Sequence, residues 1–243
     1  MFAIFKKELN NFLSSLLGYI VIAVFLLING LFLWVFPLEF NILQFGYASL
    51  DSLFILAPFV FLFLIPAISM RSFSEEKRNG TIELLMTKPL TELQIIAGKY
   101  LAMIVLLVLT LIPTLTYYYT VYALGFPKGN LDIGGTWGSY IGLLFLGSAF
   151  AAIGLFVSSL TNNQIVSFII SVFLCGFFYF GFDFIYEFRF LGSFDLFVKS
   201  IGINEHYVSM SRGVIDTRDV LYFLSFITIF LLLTKISLER RKW

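Results

Sequence analysis

The sequence predicts an all-α integral membrane protein, with six transmembrane helices preceded by a helix lying in the membrane interface. Three observations lead there. Six apolar runs recur along the 243 residues, each near the roughly 20 residues that a bilayer span requires. Charged residues make up 13% of the chain, against roughly 25% in soluble domains. The runs are also apolar on all sides, whereas a soluble core helix keeps one polar face.

The whole of 1–243 reads as one transmembrane domain, with spans at 18–36, 52–70, 100–124, 137–160, 165–182 and 220–238. Only the last contains a charge, Lys235 near its end, whose stem can reach the interface. Before the first span, Phe2, Phe5, Leu9, Phe12, Leu13 and Leu16 share one face of a helix over 1–16, and Lys6, Lys7, Glu8, Asn10 and Asn11 fall largely on the other. That pattern predicts an amphipathic helix in the membrane surface. The first span is too long for a cleavable signal peptide and lacks a small-x-small site after it.

Basic residues set the expected orientation. Lys6 and Lys7, the 71–99 loop and the end of the chain together hold 11 of the 16 lysines and arginines. The opposite side holds Lys128, Arg189, Lys199, Arg212 and Arg218, offset by nine acidic residues. Both termini and the 71–99 loop are therefore expected in the cytoplasm, and 183–219 outside.

Several chemistries lack their residues. The chain has a single histidine, His206, and a single cysteine, Cys175, so no disulfide within the chain and no cysteine-based metal site is expected. No H-E-x-x-H and no G-x-x-x-x-G-K-[ST] occurs. A Ser–His pair at one membrane depth, needed for an intramembrane hydrolase, is absent as well. No span carries an ionisable group near its middle, which disfavours ion-coupled transport through buried carboxylates. A sodium site of carbonyls and hydroxyls stays open. The net charge of +1 argues against nucleic acid as a partner. The chain is thus expected to be no enzyme and to bind no cofactor itself.

The 71–99 loop is the most patterned stretch. Ser72 and Glu75 fit a capping box, and Gly80 suits the end of the helix after Arg78. Ile82, Leu85 and Met86 share one face of a short helix that Pro89 ends. Thr91 with Gln94 forms a second capping box, with Leu90 and Ile95 as its hydrophobic staple, so a helix restarts there and enters span three through Lys99. This knob is either a solvated loop or a docking element for a cytoplasmic partner.

The run Phe73-x-Glu75-Glu76-Lys77-Arg78-x-Gly80-Thr81-Ile82-Glu83-Leu84-Leu85-x-x-x-Pro89, followed by Gly98-Lys99, resembles the signature of ABC-2-type permeases. The resemblance covers the whole chain. It implies a permease subunit in the bacterial inner membrane whose 71–99 loop couples to a separate cytoplasmic ATPase. ATP and Mg would be bound by that partner, and a second permease chain would complete the pathway. The residues it assigns to coupling are Phe73, Glu75, Glu76, Lys77, Arg78, Gly80, Thr81, Glu83, Leu85, Met86 and Pro89. Asn204–Tyr207 and Ser211–Asp219, leading into Tyr222 and Phe223, resemble the gliding-motility-associated permeases of the same family. An exporter is the implied type; a non-transporting scaffold for a motility or secretion machine is the alternative.

Two further expectations concern packing. Gly213 can end one outer helix and Asp216 with Asp219 can cap the next, and Arg212, Asp216, Arg218 and Asp219 are read as structural ion pairs. Small residues in span four, Gly138/Gly142, Gly147/Ala151 and Ser148/Ala152, predict close helix approach. Asn29, central in span one, is expected to bond across to another helix, with pore lining as the other option; Pro58, Pro66 and Pro113 should kink or shorten their helices.

Overall fold

The structure, a computed structural model, describes residues 1–44, 46–86, 90–188, 192, 195–213 and 215–240. Among these it is helical, with no strand. α1 (Phe2–Ser14) turns at Ser15 into α2 (Leu16–Gly30), which ends in a π-helical turn over Leu31–Val35. α3 (Asp51–Ser69) continues through Met70, itself in helical conformation, into α4 (Arg71–Arg78), followed by the short α5 (Thr81–Met86). α6 (Glu92–Leu111) passes through a 3₁₀ turn into α7 (Leu115–Leu124). α8 (Ile133–Leu160) is unbroken, and α9 (Gln164–Gly176) joins α10 (Phe182–Glu187) through a second π turn. α11 (Asp195–Lys199) and α12 (Ile203–Ser211) precede α13 (Thr217–Glu239).

Six of these helical stretches are long and apolar enough to cross a membrane. Span two reaches Arg78 and span three starts at Glu92, so both run past the apolar runs of the sequence. The chain is therefore a multi-pass membrane protein. Prolines act unequally: Pro58 and Pro66 are absorbed within α3, whereas Pro113 sits in the 3₁₀ turn that interrupts span three.

α8 is the axis of the bundle. Its most apolar window is 72% buried, against 22% for the α9–α10 span, because α3, α6, α9, α12 and α13 all pack on it. Small side chains permit this. A Cβ on Gly154 would stand 1.9 Å from Ser69 Oγ of α3, and one on Gly138 would stand 2.4 Å from the Met210 carbonyl of α12. Backbone and side chain from neighbouring helices fill the space that larger residues would occupy. The Gly138/Gly142 step receives Met210 and Tyr207 of α12, while Gly147 receives Leu107 of α6.

Asn29 departs from expectation. Its side chain is fully buried, yet its amide donates to Phe25 O one turn back at 2.8 Å rather than to another helix. A carbonyl of its own helix takes one amide proton, while Asn29 Oδ1 is buried without a hydrogen-bond partner among the described residues.

Candidate functional site

One end of the bundle gathers α1, α4, α5, the start of α6, and the ends of α8 and α13. α4 is fastened there in two ways. The backbone N–H groups of Phe73 and Ser74 donate to Ser158 Oγ at 2.8 and 3.1 Å, and Ser158 in turn donates to Met70 O. The Lys77 ammonium donates to Ser159 O, which also accepts from Ser237 of α13. Ser159 lies in the last turn of α8, whose carbonyls have no partner within the helix and carry the negative end of its dipole. A lysine there meets both needs.

The second fastening is an ion cluster. Lys99 of α6 is 2% exposed, and its Nζ stands 2.8 Å from Glu8 Oε1, 2.9 Å from Glu76 Oε1 and 2.8 Å from Ser72 O. All three ammonium protons are thereby used. The same Nζ lies 5.1 Å from the centroid of the Phe73 ring, a cation–π distance. Lys7 approaches both carboxylates from outside, at 3.5 Å from Glu76 and 3.9 Å from Glu8. The interfacial helix, the loop and span three are joined through this one buried cation. Between α1 and α4 a cleft of about 450 Å³ opens, lined by Lys7, Asn11, Arg71, Glu75 and Asn79 among others.

The residues singled out in the loop therefore divide. Phe73 is buried, and Glu75, Glu76 and Lys77 are half-buried against the bundle. Arg78, Gly80, Thr81 and Glu83 are exposed at the tip. Gly80, at φ +69°, makes the left-handed turn after α4 that a side chain would resist. Ile82 is buried; Leu85 and Met86 fall in α5 with their side chains outside the described residues, as is Pro89 altogether. The Thr91–Gln94 capping box is present with both bonds.

The Ser72–Glu75 box is absent. α3 continues through Met70, so Ser72 lies inside a helix with no free end to cap, and its carbonyl serves Lys99 instead. Glu8 also departs from its expected water-facing position by turning inward to Lys99. Sequence reasoning missed Glu8 and Lys99 as a pair. The available signal was a lysine at the very start of an apolar span, a position where a buried charge needs an opposite partner.

At the far end, Tyr207 donates to Phe54 O at 2.7 Å, and burial holds its phenol well above the ordinary value. Asn204 donates to Asp183 at 2.7 Å, and Lys199 pairs with Glu205 at 2.8 Å. The Glu205 hydrogen bond, against some desolvation, raises the Lys199 ammonium above its usual range. Gly213, at φ +87°, follows α12, and Asp216 caps α13 by accepting from Arg218 N at 2.9 Å.

The expected ion pairs among Arg212, Asp216, Arg218 and Asp219 do not form among the described residues. Asp216 is engaged by backbone, and Asp219 is 2.7 Å from Nδ1 of His206, whose Nε2 lies 2.9 Å from Ser200 O. The imidazole stacks on Tyr222 at 3.8 Å. No group of three or more histidine, cysteine, aspartate or glutamate side chains close enough to hold a metal ion occurs among the described residues.

A family model described as "ABC-2 family transporter protein" matches residues 2–243. Among curated proteins, none matches the chain.

Proposed function

Because the chain belongs to the ABC-2 transporter family over nearly its whole length, we propose that it is the permease subunit of an ATP-driven exporter, worked through the 71–99 segment by a separate ATPase. Members of this family are transmembrane subunits that generally pair with a cytoplasmic ABC ATPase. A second permease chain closes the pathway, both termini lie in the cytoplasm of a bacterial cell, and the membrane is the inner one. ATP and Mg bind to the partner.

One observation carries this reading: an exposed tip mounted on a rigid base. Arg78, Thr81 and Glu83 present polar side chains at the tip, while α4 behind them is bonded to the end of α8 through Ser158, to α6 through Glu76–Lys99 and to α1 through Glu76–Lys7. A push on the tip reaches the central helix through Ser158 and spans one and three through Glu8 and Lys99, without bending a loop. A two-state bundle driven this way can alternate. The gliding-motility link rests on the resemblance at 204–223 alone.

The test reverses the two exposed charges, Arg78→Glu with Glu83→Lys. Loss of ATPase co-purification and of ATP-dependent solute movement in vesicles, with the chain still inserted, is the expected result. Full association and transport in that variant would defeat the coupling role. Association without any ATP-dependent solute movement in the wild type would favour the scaffold instead.

A further inference from the structure

At the same end of the bundle a second cleft lies between the last turns of α8 and α13, with α4 above it. Its volume is about 430 Å³, within the ~300–1,000 Å³ typical of small-ligand sites. Two cations overlook it, Lys77 of α4 and Arg240 just after α13, with hydroxyls from Ser159 and Ser237 between them. Its wall is apolar, made by Phe156, Leu233 and Ile236. Among the described residues that line it, none is acidic. Its neighbours differ: the cleft beside α1 offsets its basic groups with Glu8, Glu75 and Glu76, and the one beside Thr91 carries Glu92 and Glu239.

We propose that this cleft binds the phosphate headgroup of an anionic phospholipid, with the acyl chains running down the face of α13. Position, charge and polarity agree on that occupant. Ile236 is 47% exposed and Leu233 36% exposed, so the wall opens sideways onto the surface that a membrane would cover. Arg240 has no acidic partner among the described residues, and its planar donors match phosphate oxygens. Lys77 is already anchored to Ser159 O, which fixes one charge in place before any ligand arrives. Basic residues cluster in the sequence as well: Lys235, Arg240, Arg241 and Lys242 fall in the last nine positions, the final three residues lying outside the described ones. Such clusters directly beyond a membrane helix attract anionic lipid. The assignment to the cytoplasmic leaflet rests on the orientation proposed above; the chemistry of the cleft does not.

The test uses the full chain in nanodiscs, which expose both leaflets and so do not depend on orientation. Discs of phosphatidylcholine with and without phosphatidylglycerol are compared, and lipid retained after transfer to the gas phase is read by native mass spectrometry. Retention of phosphatidylglycerol over phosphatidylcholine is expected, weakening about fivefold for each cation removed, in Arg240→Gln and again in the double variant with Lys77→Gln. Arg240→Lys should keep most of it, and Lys128→Gln, at the other end, all of it. High salt should release the lipid from the wild type, a reading that needs no variant to fold. Equal retention of the two lipids, or by Arg240→Gln and the wild type, overturns the site. Inorganic phosphate displacing the lipid equally well at low millimolar concentration makes the ligand a free anion and overturns the lipid assignment. Loss of ATPase binding in Arg240→Gln with lipid retention unchanged makes the cleft part of the docking surface, and likewise overturns it. Orientation is read separately, by thiol labelling of Asn162→Cys in sealed vesicles.

Discussion

Lys99 Nζ and Glu76 Oε1 lie 2.9 Å apart, so the two ends of the 71–99 segment are tied to each other as well as to the bundle. α4 and the start of α6 thus share one base, an ion cluster with Glu8 as its third member. A buried ammonium is tolerable only with such company, since taking it from water costs several kcal/mol that paired carboxylates offset.

Removing Lys99 should therefore be severe. Lys99→Met leaves Glu8 and Glu76 without their buried cation, with only the exposed Lys7 beside them, and a loss of about 3 kcal/mol is expected, at the low end of the range for a broken buried pair. Adding Glu8→Gln and Glu76→Gln to it should restore much of that. Thermal unfolding in nanodiscs reads both; a single variant as stable as the wild type would show that the cluster contributes nothing.

Ser158 holds α4 through two backbone donors. Ser158→Ala leaves those N–H groups without that acceptor, at a cost of about 1–3 kcal/mol. Amide exchange at Phe73 and Ser74 should quicken, and ATP-dependent transport should fall further than ATPase association does. Unchanged exchange at both amides would rule out this attachment.

The approach of α8 to α3 at Gly154 predicts a compensated pair. Gly154→Ala should cost about 1–3 kcal/mol by overpacking against Ser69. Combined with Ser69→Gly, whose side chain is the obstacle, most of that cost should disappear. Additive losses in the double variant would contradict direct contact.

His206 ties α12 to α13 through Asp219. His206→Phe keeps a ring to stack on Tyr222 but removes both hydrogen bonds, so the segment over 195–213 should become markedly more susceptible to protease added to the side it faces. Cleavage at the wild-type rate would mean that stacking alone suffices.

Lys199 gives a pH expectation with a definite sign. Its ammonium is held above the ordinary value of about 10.4 by Glu205. The contribution of this pair is complete at neutral pH and is lost only as pH climbs through the raised value. Proteolysis of α11 should therefore be insensitive to pH between about 7 and 9, and Lys199→Gln should raise it throughout that interval. A wild-type cleavage rate that climbs steadily between pH 7 and 9 would refute it.

Features written in adjacent residues were legible beforehand. The Thr91–Gln94 box, the left-handed Gly80 after Arg78 and the Asp216 cap each depend on side chains within three or four positions of the backbone groups they serve. The Ser72 box failed for a reason of the same kind. Its residues fit, but a cap needs a helix end, and whether α3 stops at Ser69 or runs on through Met70 is decided by what α4 packs against. Asn29 erred the other way: a long-range partner was expected, and its own helix provided one.

What the sequence by itself determined is the membrane architecture. Hydropathy accumulates along the chain, so twenty apolar residues require a spanning helix whatever surrounds them. The tertiary structure decided which polar groups meet: Glu8 with Lys99, Ser158 with the amides of α4, His206 with Asp219. Each of those contacts acts over about 3 Å between separate segments. A buried charge or amide demands a partner of the right chemistry but sets no condition on where in the chain that partner comes from.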